Sequence, residues 1–116
     1  MIEKFKMHNV ENCKYNDENL RFVLMHLLTL QDEIHKPWKN TKFVVLFYDQ
    51  FEHVDIEAFD NKLKTQLEKN GIIVESTKDL TGKYLKDGYM LSENDIHPNE
   101  KAWDEVVPKL VGKMKL

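Results

Sequence analysis

Apolar residues in the first half of the chain follow two different periods, which predict a helix and then a strand. Apolar side chains recur at three- and four-residue steps between Leu20 and Ile34, as they do along the inner face of a helix. Asp17 is the candidate N-cap of this helix, and Pro37 marks its end. The run at residues 42–48 is almost continuously apolar, which is typical of a parallel strand covered on both faces.

A second helix and a second strand are predicted directly afterwards. Asp55 is a candidate N-cap, and the helical period that follows it ends before Gly71, where a helix commonly needs a left-handed residue. Residues 72–74 then form a short buried strand. This order implies a right-handed crossover in a parallel sheet. The sequence therefore predicts a single α/β domain over residues 1–116, a partial three-layer α/β/α fold with a short parallel sheet flanked by helices.

The last third of the chain has a weaker pattern. After Glu75 the residues are typical of a loop as far as the turn signals at Gly82 and Gly88. A final helix is predicted to begin at Pro98 or at the next residue, because proline suits the first helical turn. Pro108 falls inside this helix and is predicted to kink or split it.

Composition and charge exclude several classes of protein. The 116 residues are 41% hydrophobic and 32% charged, which is ordinary for a globular domain with one modest core. The net charge is −3, and lysines alternate with acidic residues instead of forming a basic stripe. The chain therefore lacks the electrostatic character of a nucleic-acid-binding protein.

Cysteine usage and hydropathy add two further expectations. Cys13 is the single cysteine, so no disulfide can form within the chain. No apolar run approaches the length of a membrane span, and residues 1–7 lack the apolar core of a signal peptide. As written, the chain is expected to stay in the cytoplasm where it is made.

Asp95 and His97 are the candidate catalytic residues. A histidine acts as a general base when a carboxylate fixes its tautomer and stabilises the imidazolium that forms. Two residues apart in a loop before a helix, this pair could form without help from the rest of the chain. Pro98 restricts the backbone of His97 to extended conformations and would hold its ring in place.

Two other interpretations of the same residues stay open. An Asp-x-His sequence before a helix is often a loop with capping side chains and no chemistry. The pair could also join His53 in a metal site, although no regular spacing defines that third ligand. Neither a metal nor a cofactor is expected on this basis.

The segment at residues 95–110 reads Asp-Ile-His-Pro-Asn-Glu-Lys-Ala-Trp-Asp-Glu-Val-Val-Pro-Lys-Leu. It resembles the final block of SGNH (GDSL-type) hydrolases, in which an acid, a histidine and then Pro and Asn or Ser lead into the last helix. The likeness extends over about residues 20–116, with residues 89–110 its specific part. It implies that the chain corresponds to the second half of an SGNH domain, with flavodoxin-like layering.

The resemblance also implies a role for each residue of the pair. His97 matches the general base of the family. The family's acid stands three or two residues before that histidine, at the positions of Asn94 and Asp95. Asp95 is the preferred partner, because an amide cannot stabilise an imidazolium as a carboxylate does.

The serine block of the family is not in this sequence. SGNH hydrolases carry their nucleophile in a Gly-Asp-Ser segment near the start of the domain, followed by the oxyanion-hole residues. The two serines here, Ser76 and Ser92, lie in other surroundings. Ser92 could replace the nucleophile only if an oxyanion site lay beside it, and the sequence indicates none.

Two functions follow from these observations. The first is the C-terminal segment of an ester hydrolase or acyltransferase, acting on a small-molecule ester once a separate N-terminal half supplies the serine, and inactive alone. The second is a non-catalytic α/β module that binds a partner or forms a homodimer through an uncovered sheet edge.

Overall fold

The computed structural model describes residues 15–114 of the chain. In chain order the elements are helix α1 (Asp17–His35), strand β1 (Val44–Phe47), helix α2 (Val54–Lys69), strand β2 (Ile73–Ser76), helix α3 (Thr77–Thr81), strands β3 (Met90–Ser92) and β4 (Asp95–Pro98), and helix α4 (Glu100–Met114). The predicted order of helix, strand, helix and strand, and the predicted last helix, are confirmed. The expectations for residues 1–7 and for Cys13 lie outside the described residues.

Strands β1 and β2 form a short parallel sheet with helices on both of its faces. The two strands pair from Val44 opposite Ile73 to Phe47 opposite Ser76. Neighbouring residues of a strand point to opposite faces, so β1 contributes to two separate hydrophobic clusters. Residues Val45 and Phe47 pack with α1 and α2, while Leu46 and Tyr48 pack with α4. The chain is therefore a mixed α/β protein, as its sequence predicts.

The first two long helices begin one or two residues before the positions that the sequence indicates. Asn16, not Asp17, caps α1, and its side chain accepts the backbone N–H three residues later at 2.9 Å. His53, not Asp55, caps α2, with Nδ1 accepting an N–H at 3.4 Å. Both capping residues have the extended backbone that a cap requires. Asp17 and Asp55 lie inside the first turns, where their negative charges interact favourably with the helix dipole and stabilise the helices.

The C-terminal end of α2 and the middle of α4 test the predictions made for Gly71 and Pro108. Gly71 has a φ of 77°, so the left-handed position after α2 is confirmed. Pro108 does not split α4, which is continuous over its fifteen residues. Proline removes one bond to the carbonyl of Asp104, but both residues face solvent. The buried residues Ala102 and Val106 hold the opposite side of the helix in place.

The segment between β2 and α4 is more ordered than its sequence predicts. Ser76 caps the five-residue helix α3, accepting the backbone N–H of Asp79 at 3.1 Å. Strands β3 and β4 then form an antiparallel hairpin, with Ser92 opposite Asp95. These elements are too short to show a period of apolar residues, so the expected loop was wrong here.

Replacement of Leu67 by alanine should destabilise the protein strongly. Leu67 is fully buried between α2 and the sheet, so truncation would leave a cavity that costs about 2–5 kcal/mol of unfolding free energy. Leu30→Ala, the same change at an exposed position of α1, should cost about 0.5 kcal/mol or less. Urea denaturation measures both, and equal losses would contradict the described core.

Candidate functional site

Asp95 and His97 lie on β4 and are in direct contact. The Nδ1 atom of the His97 ring is 2.5 Å from Oδ1 of Asp95. The backbone N–H of His97 donates to the same carboxylate oxygen at 3.1 Å. Oδ1 of Asp95 therefore contacts both Nδ1 of the ring and the backbone N–H of His97. These two contacts fix the ring orientation and leave Nε2 for other partners.

The position of this pair differs from the prediction in one respect. It was expected in a loop before the last helix, but β4 is the second strand of an antiparallel hairpin. Asn94, the alternative acid position, lies in the exposed turn between β3 and β4. The side chains of His97 and Asp95 are 67% and 45% exposed, so solvent or a partner molecule can reach the ring.

Asn99 attaches the hairpin to α4. Its side-chain N–H₂ donates to the carbonyls of Gly88 and Met90, both at 3.0 Å, and its Oδ1 accepts the N–H of Ala102 at 3.0 Å. Its own N–H donates to the carbonyl of Tyr89 at 3.0 Å. The side chain of Asn99 thus joins the segment at residues 88–90 to the first turn of α4. The sequence marked Asn99 only as a possible helix start.

Gln50 attaches the hairpin to the sheet. It follows β1 by three residues, and its side-chain Nε2 donates a hydrogen bond to the backbone carbonyl of Ile96. Ile96 lies between the two candidate catalytic residues. The sequence pattern does not indicate a role for Gln50, because a contact across 46 positions leaves no local signal.

A polar cavity of about 210 Å³ lies at the carboxyl ends of β1 and β2, which is where ligands gather in parallel α/β sheets. Sequence analysis did not predict it. Its lining is mostly charged and polar: Phe47, Asp49, Glu57, Asp60, Asn61, Lys64, Val74, Glu75, Ser76, Lys78, Asp79 and Tyr84. Neither Asp95 nor His97 is among these residues, so the cavity and the pair are separate features of the described structure.

Carboxylates in this cavity are held close enough to change one another's protonation. Burial, and then the negative charges of Asp49 and Glu57, raise the pKa of Asp60 to about 6. The pKa of Asp49 is also raised by burial, against the opposing effect of a hydrogen bond from the backbone of Lys78. The cavity therefore disfavours negative charge at Asp60 near neutral pH.

The metal-site hypothesis gains no support from the geometry. Within residues 15–114 no group of three His, Cys, Asp or Glu side chains is placed to hold a metal ion. The His53 ring is used instead to cap α2, and it packs 6.1 Å from the ring of Tyr15. No helix among the described residues is long and apolar enough to cross a membrane.

Comparison with known proteins identifies no relative of the chain. No protein-family model matches it, and neither the curated proteins nor the solved structures contain a significant match. What the structure itself defines is a mixed α/β protein in which a surface hairpin carries an exposed Asp–His pair. The likeness of residues 95–110 to SGNH hydrolases stays a prediction.

Replacement of Asp60 by asparagine should stabilise the protein at neutral pH. Because the folded-state pKa of Asp60 is raised to about 6, the native protein loses stability as pH rises from about 4, where the unfolded carboxyl ionises, to about 6. Asparagine carries no charge and avoids this loss. The gain should be on the order of 1 kcal/mol at pH 7, since the half-exposed group is screened by solvent.

Urea denaturation as a function of pH measures this effect. The difference in unfolding free energy between Asp60→Asn and the native chain should disappear below about pH 4, where the carboxyl is protonated and neither side chain carries a charge. Asp104→Asn, at an exposed position of α4, is the control for removal of one negative charge. A pH-independent difference would show that the amide acts through packing and not through the ionisation of Asp60.

Proposed function

We propose that this chain is the C-terminal segment of an SGNH-type ester hydrolase or acyltransferase and supplies the histidine and aspartate of a Ser-His-Asp triad. The observation that carries the proposal is the 2.5 Å contact between Nδ1 of His97 and Oδ1 of Asp95. The local sequence and the geometry agree, since the block that resembles the family is the one in which the ring and carboxylate meet.

The chemistry of the pair follows from this contact. Asp95 accepts a hydrogen bond from Nδ1–H and so keeps the lone pair on Nε2, which can remove the proton of a serine hydroxyl. Once the ring is protonated, the carboxylate stabilises the imidazolium. The exposed ring of His97 can meet a nucleophile presented by another segment, which a buried ring could not do.

Neither serine of the chain contacts the His97 ring among the described residues. The Oγ of Ser76 caps α3, and Ser92 lies opposite Asp95 in the backbone register of the hairpin, at an exposed position without an oxyanion site. We therefore propose that a separate N-terminal half brings the nucleophile and the oxyanion hole. With Asp95 and His97 alone, the chain offers a base but no group to acylate.

Within residues 15–114 no strand pairs with the outer edge of β1, and that edge is where the N-terminal half would extend the sheet. In the described sheet β1 pairs only with β2. Beside β1, α4 presents an exposed apolar stripe of Trp103, Val107 and Val111, and the Trp103 ring packs 5.6 Å from that of Tyr48. The Tyr48 hydroxyl is buried and has no hydrogen-bond partner among the described residues, although buried hydroxyls normally have one. An added strand would complete the three-layer arrangement and could provide an acceptor.

Complementation of the chain with a serine-bearing N-terminal half tests this function. The chain alone should not hydrolyse a nitrophenyl ester above its His97→Ala variant, whereas the reassembled protein should. In the reassembled protein, His97→Ala should lower kcat/KM at least about a thousand-fold, because the serine loses its base. Asp95→Asn should cause a loss of similar order by favouring the wrong tautomer.

His35→Ala is the matched control for the loss of an imidazole. The His35 ring contacts the carbonyl of Thr41 at 2.8 Å at the far end of α1, away from the hairpin. Its replacement should leave hydrolysis within about twofold of the native rate, because it touches no group of the proposed triad. Full activity in the reassembled His97→Ala variant would eliminate the proposed role of His97.

A second candidate function is self-association without catalysis, and the α4 stripe together with the β1 edge favours it. Two copies related by a two-fold axis could pair β1 with β1 and cover both stripes, which would remove the exposed edge. The homodimer and the split hydrolase use the same surface, so one occupant excludes the other.

Replacement of Val107 by glutamate tests the homodimer. If the chain is a dimer through the α4 stripe, the added charge should weaken association at least about a hundred-fold, which sedimentation equilibrium can measure. Leu91→Glu introduces the same charge at an exposed residue of β3 and should leave association unchanged. A native chain that stays monomeric at high concentration would remove this candidate.

A further inference from the structure

The backbone just after β1 is held by several hydrogen bonds at Asp49. The N–H of Asp49 donates to Oγ1 of Thr77 at 2.8 Å, and its carbonyl accepts the N–H of Leu85 at 3.0 Å. Its carboxylate accepts the N–H of Lys78 at 3.3 Å. Three hydrogen bonds thereby fix Asp49 against α3 and the loop at Leu85, and the next residue, Gln50, starts from a defined position.

Gln50 acts on the peptide group that joins Ile96 to His97. Its side-chain Nε2 donates to the carbonyl oxygen of that group. The nitrogen of the same group is the N–H of His97, which donates to Oδ1 of Asp95 at 3.1 Å. One planar peptide is thus held at both ends, by the glutamine on its oxygen and by the carboxylate on its nitrogen.

The geometry of this peptide determines the geometry of the candidate catalytic pair. The oxygen that accepts the His97 N–H also contacts Nδ1 of the His97 ring. A rotation of the peptide would move the N–H away from Asp95 and release the carboxylate from the ring. Donation to the carbonyl also polarises the peptide and strengthens the N–H as a donor, because hydrogen bonds in a chain reinforce one another.

We propose that Gln50 is a positioning residue for Asp95 and His97: by holding the peptide between Ile96 and His97, it keeps the Asp95 carboxylate on Nδ1 and the lone pair on Nε2. The inference deepens the proposed triad function and rests on it for its biological meaning. The positioning itself is a property of this chain and can be measured without the serine-bearing half.

The hairpin does not depend on Gln50 for its existence. Asn99 holds its other end through the carbonyls of Gly88 and Met90 and the N–H of Ala102. Loss of the Gln50 donor should therefore loosen the peptide at Ile96 while the hairpin and α4 remain folded. This separation makes a specific test possible.

Nitrogen-15 NMR of the His97 ring in the full chain provides the test. At alkaline pH the neutral ring should be mainly the Nδ1–H tautomer in the native protein. Gln50→Met keeps the length of the side chain and removes the donor, so the ratio of Nδ1–H to Nε2–H should fall about fivefold, the effect of one hydrogen bond. Gln50→Glu replaces the donor with an acceptor and should lower the ratio at least as far.

Gln31→Met is the matched control. Gln31 also donates from Nε2 to a backbone carbonyl, that of Asn70 at 3.5 Å, but it joins α1 to the end of α2. Its replacement should leave the tautomer ratio of His97 unchanged, and its urea midpoint should match that of Gln50→Met. A native tautomer ratio in both Gln50 variants would overturn the inference, and so would an equal fall in the control.

Activity of the reassembled protein separates the two proposals. If Gln50→Met changes the tautomer ratio and lowers kcat with little change in KM, both the positioning role and the triad are supported. If the ratio changes but even the native reassembled protein hydrolyses no ester, the triad function fails while the positioning of the pair stands. An unchanged ratio in an active reassembled protein overturns the role of Gln50 alone.

Discussion

The parallel pairing of β1 with β2 is the constraint on which the rest of the described structure depends. A parallel pair needs a crossover connection, which α2 supplies, and both faces of the sheet must be covered because β1 is apolar on both sides. Leu63 and Leu67 of α2 cover one face together with α1, and Ala102 and Val106 of α4 cover the other. The sheet is small, yet it fixes where its helices and its carboxyl-terminal edge lie.

That edge carries two distinct arrangements of polar groups. On the side of α2 and α3, several carboxylates surround a cavity, and the charges of Asp49 and Glu57, together with burial, raise the pKa of Asp60. On the other side, Gln50 extends from the end of β1 to the hairpin that bears the Asp–His pair. Asp49 lines the cavity, is hydrogen-bonded to α3 and directly precedes Gln50 in the chain. The position of the pair is thus set by the same strand end that bounds the cavity.

The Asp95–His97 pair is already oriented for catalysis although both side chains are partly exposed to solvent. Catalytic histidines in triads work where water is excluded and a nucleophile is close. Here the carboxylate and the backbone already orient the ring, while most of the His97 side chain is exposed. The edge of β1 is bordered by the exposed, apolar Trp103 of α4. Orientation and exposure are both explained if a further segment covers this side of the protein and completes the site.

The sequence by itself determined the elements that are long or strongly apolar. The stripe of α1, the continuous run of β1 and Gly71 after α2 follow from local periods and backbone preferences, and the contact of Asp95 with His97 needs only two residues of separation. Tertiary structure alone decided what depends on distant partners. The folded sheet brings Gln50 into hydrogen-bonding distance of the Ile96 carbonyl and brings the charge of Asp49 close to Asp60. Helix α3 and the hairpin are too short to form without tertiary packing. Local sequence patterns reflect interactions between residues that are close along the chain, whereas these long-range contacts exist only once the core has formed.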